Sequence, residues 1–240
     1  EGMHMGVTAE NVASEYGLNR ELQDEFALES HQRASRAIKN GLFKEQILPI
    51  EVKKGRTAVT FDTDEHVRDD VSLENLSKLR TVFKKDGTVT AGNASGINDG
   101  AAALVLMEKH EAERRGIKPL AQLVSYGHAG VDPRVMGLGP IPAVKSALQK
   151  GNLTIGDIDI VESNEAFAAQ ACAVSQSLEF DSTKTNPNGG AVALGHPVGA
   201  TGAIITIKAL YELNRIKGQH ALVTMCIGGG QGIAAIFTSI

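Results

Sequence analysis

Of all the residues in this chain, Cys226 stands in the sequence context that best suits a reactive side chain. It ends an apolar run and enters a loop in which four of the next six residues are glycine. Apolar segments at 221–223 and 233–237 predict strands on both sides of that loop. A phosphate-binding glycine loop requires a following helix, and none is predicted here. The pattern favours a thiol beside backbone N–H groups suited to an oxyanion, with a buried structural cysteine beside a tight turn as the alternative.

Two further polar side chains are predicted at the ends of strands or the beginnings of helices. His196 stands among glycines and before Pro197, where an imidazole could exchange protons near neutral pH. Asn164 follows a predicted strand, although an asparagine there is equally typical of a helix N-cap. A structural loop histidine is the alternative for His196. Because ligands of open α/β sheets collect at this edge, we expect Cys226, His196 and Asn164 to converge.

The elements that position these groups are clearest after residue 118. Alternating strand and helix patterns predict one layered α/β domain from about residue 119 onward. Its last helix is expected to bury Ile204, Ile207 and Tyr211, and Cys172 is expected to fill space in the core of an earlier helix. The preceding part is predicted to contain two helices, a polar loop at 62–70, and a buried strand or helix start at 101–107.

Composition excludes several classes of function. The chain has 240 residues, 42% of them hydrophobic, a formal net charge of −4 and only 4% aromatic residues. Without a basic stripe or stacking platforms, nucleic acid is a poor partner, and no apolar run is long enough to span a bilayer. Two distant cysteines suggest neither a disulfide framework nor a zinc site, so a reducing, cytoplasmic location is predicted. The first residues do not have the pattern of a targeting segment, and the chain reads as if it were entered partway.

Four stretches, taken together, resemble the motifs of thiolases. They are Asn164–Ala168, Gly195–Gly202, Cys226–Gly232 and Ala91–Gly96. The resemblance implies an α/β fold with the layered α-β-α arrangement of thiolases, in which one C-terminal half-domain is complete. The domains implied are residues 1–96 as part of the loop domain, 97–118 as the tail of the N-terminal half-domain, and 119–240 as the C-terminal domain.

The branch of the family is suggested by the first residues. The run from His4 to Gly6, followed by 8–11, resembles the short-chain, biosynthetic acetyl-CoA acetyltransferases. Such enzymes catalyse reversible Claisen condensation of two acetyl-CoA molecules to acetoacetyl-CoA and CoA, with CoA thioesters as substrates and no further cofactor or metal. The resemblance also implies a homo-oligomer, specifically a homotetramer.

Thiolases use a nucleophilic cysteine that becomes acylated, and neither Cys172 nor Cys226 matches its motif. The resemblance therefore implies that the N-terminal part carrying that cysteine is missing and that the chain alone is inactive without it. Three alternatives remain: a non-catalytic CoA-binding fragment, a 3-ketoacyl-CoA thiolase of broader chain length, and, as a weaker match, a ketosynthase.

The resemblance assigns roles to individual residues. Cys226 would transfer the α-proton of acetyl-CoA, and His196 would activate the nucleophile and bind the thioester oxygen. Asn164 would hold a water in the same oxyanion site, and the N–H of Gly228 would belong to a second one. Arg68, which lies among acidic residues, could instead be an ion-pair partner. The positions implied to contact CoA or the acyl group are His4, Met5, Arg68, Phe83, Ala91, Ser95, Met136 and Phe167.

Overall fold

The computed structural model describes residues 2–240, and the part before residue 119 consists of helices, one hairpin and long loops. Two helices come first, each with a defined cap at both ends, and Gly17 ends the first in a left-handed conformation. The elements in order are α1 (Met5–Tyr16), α2 (Arg20–Lys39), β1 (Ile50–Lys54), β2 (Thr57–Phe61), α3 (Leu73–Ser77) and α4 (Lys109–Arg114).

The second part of the chain forms a four-stranded sheet with helices on both faces. The strands lie in the order β3-β6-β5-β4, with β4 parallel to β5 and the other neighbours antiparallel. The elements are β3 (Ala121–Gly130), α5 (Pro140–Gly151), β4 (Ile160–Ser163), α6 (Ala168–Leu178), α7 (Ala191–Leu194), α8 (Thr201–Ile216), β5 (His220–Ile227) and β6 (Gln231–Ser239), with 3-10 turns at Pro133–Leu138 and Ile155–Asp157.

The two faces of the sheet carry separate hydrophobic cores. On one face, α5 and α6 cover β4, β5 and β6 through a cluster that includes Val144, Val174 and Leu222. On the other face, α8 packs against Ala221 and Val223 of β5. Each large apolar side chain buried in this way stabilises the fold by about 1.5–3 kcal/mol. Since side chains alternate along a strand, Cys226 points to the same face as Leu222, towards α6.

The N-terminal helices pack on the α6 side of the molecule. Val12 and Ala13 of α1 share a cluster with Ala169 and Ala173 of α6. Helix α2 contacts α7 through Ala27 and Val192. Helices α1 and α2 therefore lie against α6, which follows Asn164, and α7, which precedes His196.

The buried face predicted for α8 is wrong. Ile204, Ile207 and Tyr211 are partly exposed, whereas Ile205, Ala209 and Leu213 are buried against the sheet. Two charged residues of α8, Lys208 and Glu212, are also buried, because they pair with other polar groups. The face predicted from the apolar residues alone lies about one residue away from the face that is buried.

The prediction for residues 101–107 is also wrong. This segment has no regular secondary structure, and Val105 and Leu106 are 88% and 79% exposed. An apolar run becomes a buried strand only where another strand pairs with it, and none of the strands formed within 2–240 does so. No helix formed by the described residues is both long and apolar enough to cross a membrane.

Candidate active site

Cys226 lies near the end of β5, in a small cluster with apolar walls. Its side chain is 6% exposed and packs with Met136, Ala166 and Phe167. Burial raises the pKa of the Cys226 thiol to about 11, so the sulfur is protonated at neutral pH. The loop that follows turns sharply, because Gly229 and Gly230 have φ angles of 90° and 93°, which favour glycine.

Asn164 and His196 meet, although 32 residues separate them. The Asn164 Nδ2 atom lies 3.4 Å from the His196 Nε2 atom. The Asn164 backbone N–H donates to the carbonyl of Thr224 in β5, two residues before Cys226. Since α6 has Phe167 as its N-cap, the interpretation of Asn164 as a helix cap is wrong. Its buried Oδ1 atom has no hydrogen-bond partner within the described part of the chain.

His196 is held by one contact at its ring and one at its backbone. Its Nδ1 atom lies 2.7 Å from the hydroxyl of Thr201, and its backbone N–H donates to Asn98 Oδ1 over 3.1 Å. Burial lowers the pKa of His196 below its usual value, so the ring is neutral at pH 7. A neutral imidazole with one nitrogen facing the site is a competent general base.

The small-residue loop at 91–98 joins the two halves of the site. Ser95 donates its backbone N–H to the carbonyl of Ala166, and Ala94 forms a bridge with Phe167. Three residues later, Ile97 forms a bridge with His196. The loop thus connects Ala166 and Phe167, which pack with Cys226, to the segment that carries His196.

Most residues implied to bind CoA surround these groups. His4 stacks on Phe83 with ring centroids 4.8 Å apart, and Phe83 contacts Phe167 edge to face at 6.1 Å. A Cβ atom on Gly228 would lie 3.5 Å from the Met5 sulfur, which places Met5 beside the glycine turn. An aromatic and thioether wall therefore runs from α1 to the Cys226 cluster.

The remaining predicted residues lie at different distances from this wall. Met136 is inside the Cys226 cluster, Ser95 touches Ala166 through its backbone, and Ala91 is exposed at the start of the same loop. Arg68 is exposed and lines a separate cavity of about 290 Å³ beside α2. The structure therefore does not bring Arg68 against the other predicted residues.

Cys172 is remote from the cluster around Cys226. It packs beside Leu18 and Ala169 and lines a cavity of about 450 Å³ between α2 and α6. Burial raises the pKa of Cys172 to about 12, so it is a weak nucleophile at neutral pH. Among residues 2–240, no group of three or more His, Cys, Asp or Glu side chains is arranged to hold a metal ion.

Glu165 organises the polypeptide behind the site. It is 2% exposed, and its carboxylate accepts hydrogen bonds from Ser30 Oγ at 2.6 Å, Asn186 Nδ2 at 2.8 Å and the Val192 N–H at 3.2 Å. Burial raises the pKa of Glu165, while these donors oppose the shift. Through this carboxylate, α2 and α7 are bonded to Glu165, which directly follows Asn164.

A second buried acid, Glu162, depends on one lysine. Lys208 Nζ donates to Glu162 Oε2 at 2.7 Å and to the carbonyl of Gly189 at 2.6 Å. Their side chains are 6% and 1% exposed. Burial raises the pKa of Glu162 to about 7, and the charge of Lys208 limits the rise. The pair connects β4 to the loop that precedes α7.

Replacing Lys208 with Met is expected to lower the free energy of unfolding by about 3–5 kcal/mol at pH 8, because Glu162 is left as a buried charge without its partner. The loss should shrink towards pH 5. The folded-state pKa of Glu162 is above its unfolded value, so the destabilising effect of this group grows as pH rises from about 4.5. Urea unfolding followed by circular dichroism measures both effects.

Lys145 is the matched control, because it is exposed on α5. Lys145→Met should change stability by no more than about 0.5 kcal/mol. A loss below about 1 kcal/mol for Lys208→Met at pH 8 would contradict the assigned dependence of Glu162 on Lys208.

Three positioning residues were missed by reasoning from the sequence. Thr201 and Asn98 stand inside stretches that drew attention for their glycines, and Glu165 follows Asn164 directly. A usable signal existed for Glu165, since an acid between a strand end and an apolar helix start must find buried donors. Thr201 carried only the weak signal of a hydroxyl at a helix start.

Comparison with known protein families decides the class of this chain. Residues 117–239 match the family model described as the C-terminal domain of thiolase, and residues 1–110 match the model described as the N-terminal domain. The chain belongs to the thiolase family. The predicted family and the mixed α/β thiolase fold are thus confirmed. The match over 1–110 does not support the prediction that the chain lacks its N-terminal part.

Individual thiolases resemble the chain over its full length. Beta-ketothiolase BktB of Cupriavidus necator is 67% identical over 240 residues, which cover 99% of this chain and 61% of that protein. An acetyl-CoA acetyltransferase of Shinella zoogloeoides is 53% identical and is covered to the same 61%. This chain therefore spans about three-fifths of the length of the curated relatives it matches.

Solved thiolase structures superpose closely on the chain. The acetyl-CoA acetyltransferase of Bacillus anthracis has a TM-score of 0.98 at 48% identity, with 100% of this chain and 61% of that chain covered. Human mitochondrial 3-ketoacyl-CoA thiolase in complex with CoA has a TM-score of 0.93 at 48% identity, with 99% and 59% covered. The fold of the described residues is therefore that of a thiolase.

Proposed function

We propose that these residues belong to an acyltransferase that condenses two acetyl-CoA molecules to acetoacetyl-CoA and CoA, and catalyses the reverse thiolysis. The observation that carries the proposal is the meeting of Asn164 with the neutral imidazole of His196, on a peptide segment bonded to the strand of Cys226. Membership of the thiolase family and the names of the relatives support this reaction class. CoA thioesters are the substrates, and no further cofactor is required.

In the first half of the reaction, we assign His196 Nε2 as the base that takes the proton of the nucleophilic sulfur. The sulfur attacks the thioester carbon of acetyl-CoA, and the bond to the CoA sulfur breaks. The departing CoA thiolate takes the proton of Cys226, which is a thiol at rest because its pKa is about 11. The protonated His196 and the thiolate of Cys226 remain for the second half.

In the second half, the Cys226 thiolate removes a proton from C2 of a second acetyl-CoA. The enolate oxygen accepts hydrogen bonds from His196 Nε2 and from a water that donates to Asn164 Oδ1, a buried atom in need of a donor. The enolate carbon then attacks the acyl carbonyl, whose oxygen is stabilised by the Gly228 N–H. A carbon–carbon bond forms, the acyl–sulfur bond breaks, and His196 returns its proton to the sulfur.

The wall formed by His4, Met5, Phe83 and Phe167 suits the pantetheine arm, because it is mostly aromatic and thioether surface and leads to Cys226. Ala91 and Ser95 would flank the arm, Met136 would limit the acyl group, and Arg68 would act only at the distant nucleotide end. The buried Met136 favours short acyl chains. A 3-ketoacyl-CoA thiolase of broader chain length remains the second candidate, favoured by relatives with that printed name.

The division into residues 1–96, 97–118 and 119–240, the cytoplasmic location and the homo-oligomer stay predictions. For the acylated sulfur we propose a cysteine other than Cys172 and Cys226. Cys172 lies in a different cluster, and burial raises the pKa of its thiol to about 12. Cys226 is assigned to proton transfer. By this reasoning the 240 residues alone bind CoA without turning it over.

Incubation of the 240-residue chain with acetyl-CoA is expected to leave its intact mass at 25.3 kDa, without an acetyl adduct on either cysteine. The protein that carries these residues at full length should, in contrast, release CoA from acetyl-CoA and cleave acetoacetyl-CoA with added CoA. A stable adduct on Cys172 or Cys226 together with turnover would refute the role division. CoA binding without any turnover by the full-length protein would favour a binding module instead.

A further inference from the structure

Thr201 is the first residue of α8 and is buried beneath the imidazole of His196. Its side chain is 2% exposed, and its hydroxyl oxygen lies 2.7 Å from His196 Nδ1 and 3.0 Å from the carbonyl oxygen of Pro197. A hydroxyl has one proton to donate and two lone pairs to accept with. The two contacts therefore restrict which atom carries which proton.

The carbonyl of Pro197 can only accept, and it also accepts the backbone N–H groups of Ala200 and Thr201. Because the Thr201 hydroxyl has a single hydrogen, both of its contacts are hydrogen bonds only when it donates to Pro197 and accepts from His196 Nδ1. The bond to Pro197 is the usual bond from a helix threonine to the carbonyl four residues earlier. The bond directs a lone pair of the Thr201 oxygen towards His196 Nδ1. At 2.7 Å the contact is favourable when Nδ1 carries a hydrogen and donates it.

The opposite side of the ring is consistent with this assignment. The Asn164 amide nitrogen, a donor only, lies 3.4 Å from His196 Nε2. A donor at this distance is compatible with a lone pair on Nε2 and unfavourable towards a hydrogen there. The contact with Thr201 thus selects the neutral tautomer with the hydrogen on Nδ1, and the position of Asn164 agrees with it.

We propose that Thr201 is a positioning residue, which fixes His196 in the tautomer with hydrogen on Nδ1 and presents the Nε2 lone pair to the reacting sulfur. The tautomer itself follows from the contacts, while its use in catalysis rests on the proposed function. The hydrogen bond to Thr201 also persists when Nε2 gains a proton, so the ring need not reorient between the two halves of the reaction.

The chain contains a matched control for the hydroxyl. Thr206 lies on the same helix, is 8% exposed, and donates its hydroxyl to the carbonyl of Gly202 at 2.8 Å. Its bond is of the same type as the bond from Thr201 to Pro197, and no ring nitrogen is bonded to its oxygen in the described structure. Thr206→Val removes a buried threonine hydroxyl without touching His196.

Nitrogen-15 NMR of the histidine-labelled 240-residue chain at pH 7.5 tests the proposal, with the His196 signals assigned by their loss in His196→Gln. The wild-type ring should have a protonated Nδ1 and a bare Nε2. Thr201→Val should lower the ratio of this tautomer to the other on the order of fivefold, as expected for one lost hydrogen bond. Thr201→Ser should restore the ratio, and Thr206→Val should leave it unchanged.

A wild-type ring with its hydrogen on Nε2 would overturn the proposal, whatever the variants do. An unchanged ratio in a folded Thr201→Val chain, or an equal change in Thr206→Val, would overturn it too. The measurement needs no turnover, so a correct tautomer in a protein that fails to condense acetyl-CoA would refute the proposed function and leave the role of Thr201 in orienting the ring intact.

Discussion

Replacing His196 with Ala in the full-length protein is expected to lower kcat for both condensation and thiolysis by about 10²–10⁴-fold. The reason is that one imidazole takes the proton of the nucleophile and later binds the enolate oxygen, so both half-reactions lose a group. Steady-state assays with acetyl-CoA, and with acetoacetyl-CoA plus CoA, measure the two directions. Acyl-enzyme formation, followed by quenched-flow mass spectrometry, should slow by a similar factor.

The control is His110→Ala, because His110 lies on α4 with its side chain 84% exposed. This variant should retain kcat within about twofold, since a surface substitution seldom alters a distant site. A His196→Ala protein that keeps its fold and more than about a tenth of its wild-type turnover would refute the assignment of His196 as the base.

The sequence was most informative where local chemistry decides the structure. The strands on both sides of Cys226 were predicted within a few residues, and the two helices predicted in the preceding part are present as α1 and α2. Helix α2 begins after Asn19, whose side chain caps it. In each case a glycine or a capping side chain restricts the backbone of its immediate neighbours, so no distant contact is needed.

The features that the sequence could not provide depend on residues far apart in the chain. Glu165 is bonded to Ser30 across 135 positions, and Lys208 to Glu162 across 46. Such pairs allow charged residues to be buried. For this reason the buried face of α8 could not be predicted from its apolar residues alone. The exposed run at 101–107 illustrates the converse, since an apolar composition does not create a neighbour to pack against.

The candidate site therefore combines two kinds of order. Its reactive groups lie on loops that glycines allow to turn sharply, and such loops alone would position a side chain poorly. Buried acids behind the site compensate for this, because Glu165 joins three segments and the Glu162–Lys208 pair holds the loop before α7, the helix that leads to His196. The energetic cost of burying these acids is offset only while all donors remain, so the network fixes one arrangement of the loops.

Cys226 provides the prediction that separates the two halves of the reaction. In the full-length protein, Cys226→Ala should slow the exchange of the C2 protons of acetyl-CoA with deuterated water by about 10²–10⁴-fold, because the base that removes them is gone. Acyl-enzyme formation should be affected less than by His196→Ala, since the nucleophile and its base remain and water can supply the proton that Cys226 gives to the departing CoA sulfur. Proton NMR of acetyl-CoA in deuterated buffer follows the exchange, and mass spectrometry follows the acyl-enzyme.

The state of the Cys226 sulfur gives an independent check on the same residue. With a pKa near 11, its thiolate fraction should rise about tenfold per pH unit between pH 6 and 9, so alkylation by iodoacetamide in a Cys172→Ala chain should rise likewise without levelling off. An ordinary thiol with a pKa of about 8.5 levels off in that range. Cys172→Ala should also preserve the C2 proton exchange. Normal exchange in Cys226→Ala would remove the base from the mechanism, since within these 240 residues no other thiol lies in the cluster with Met136 and Phe167.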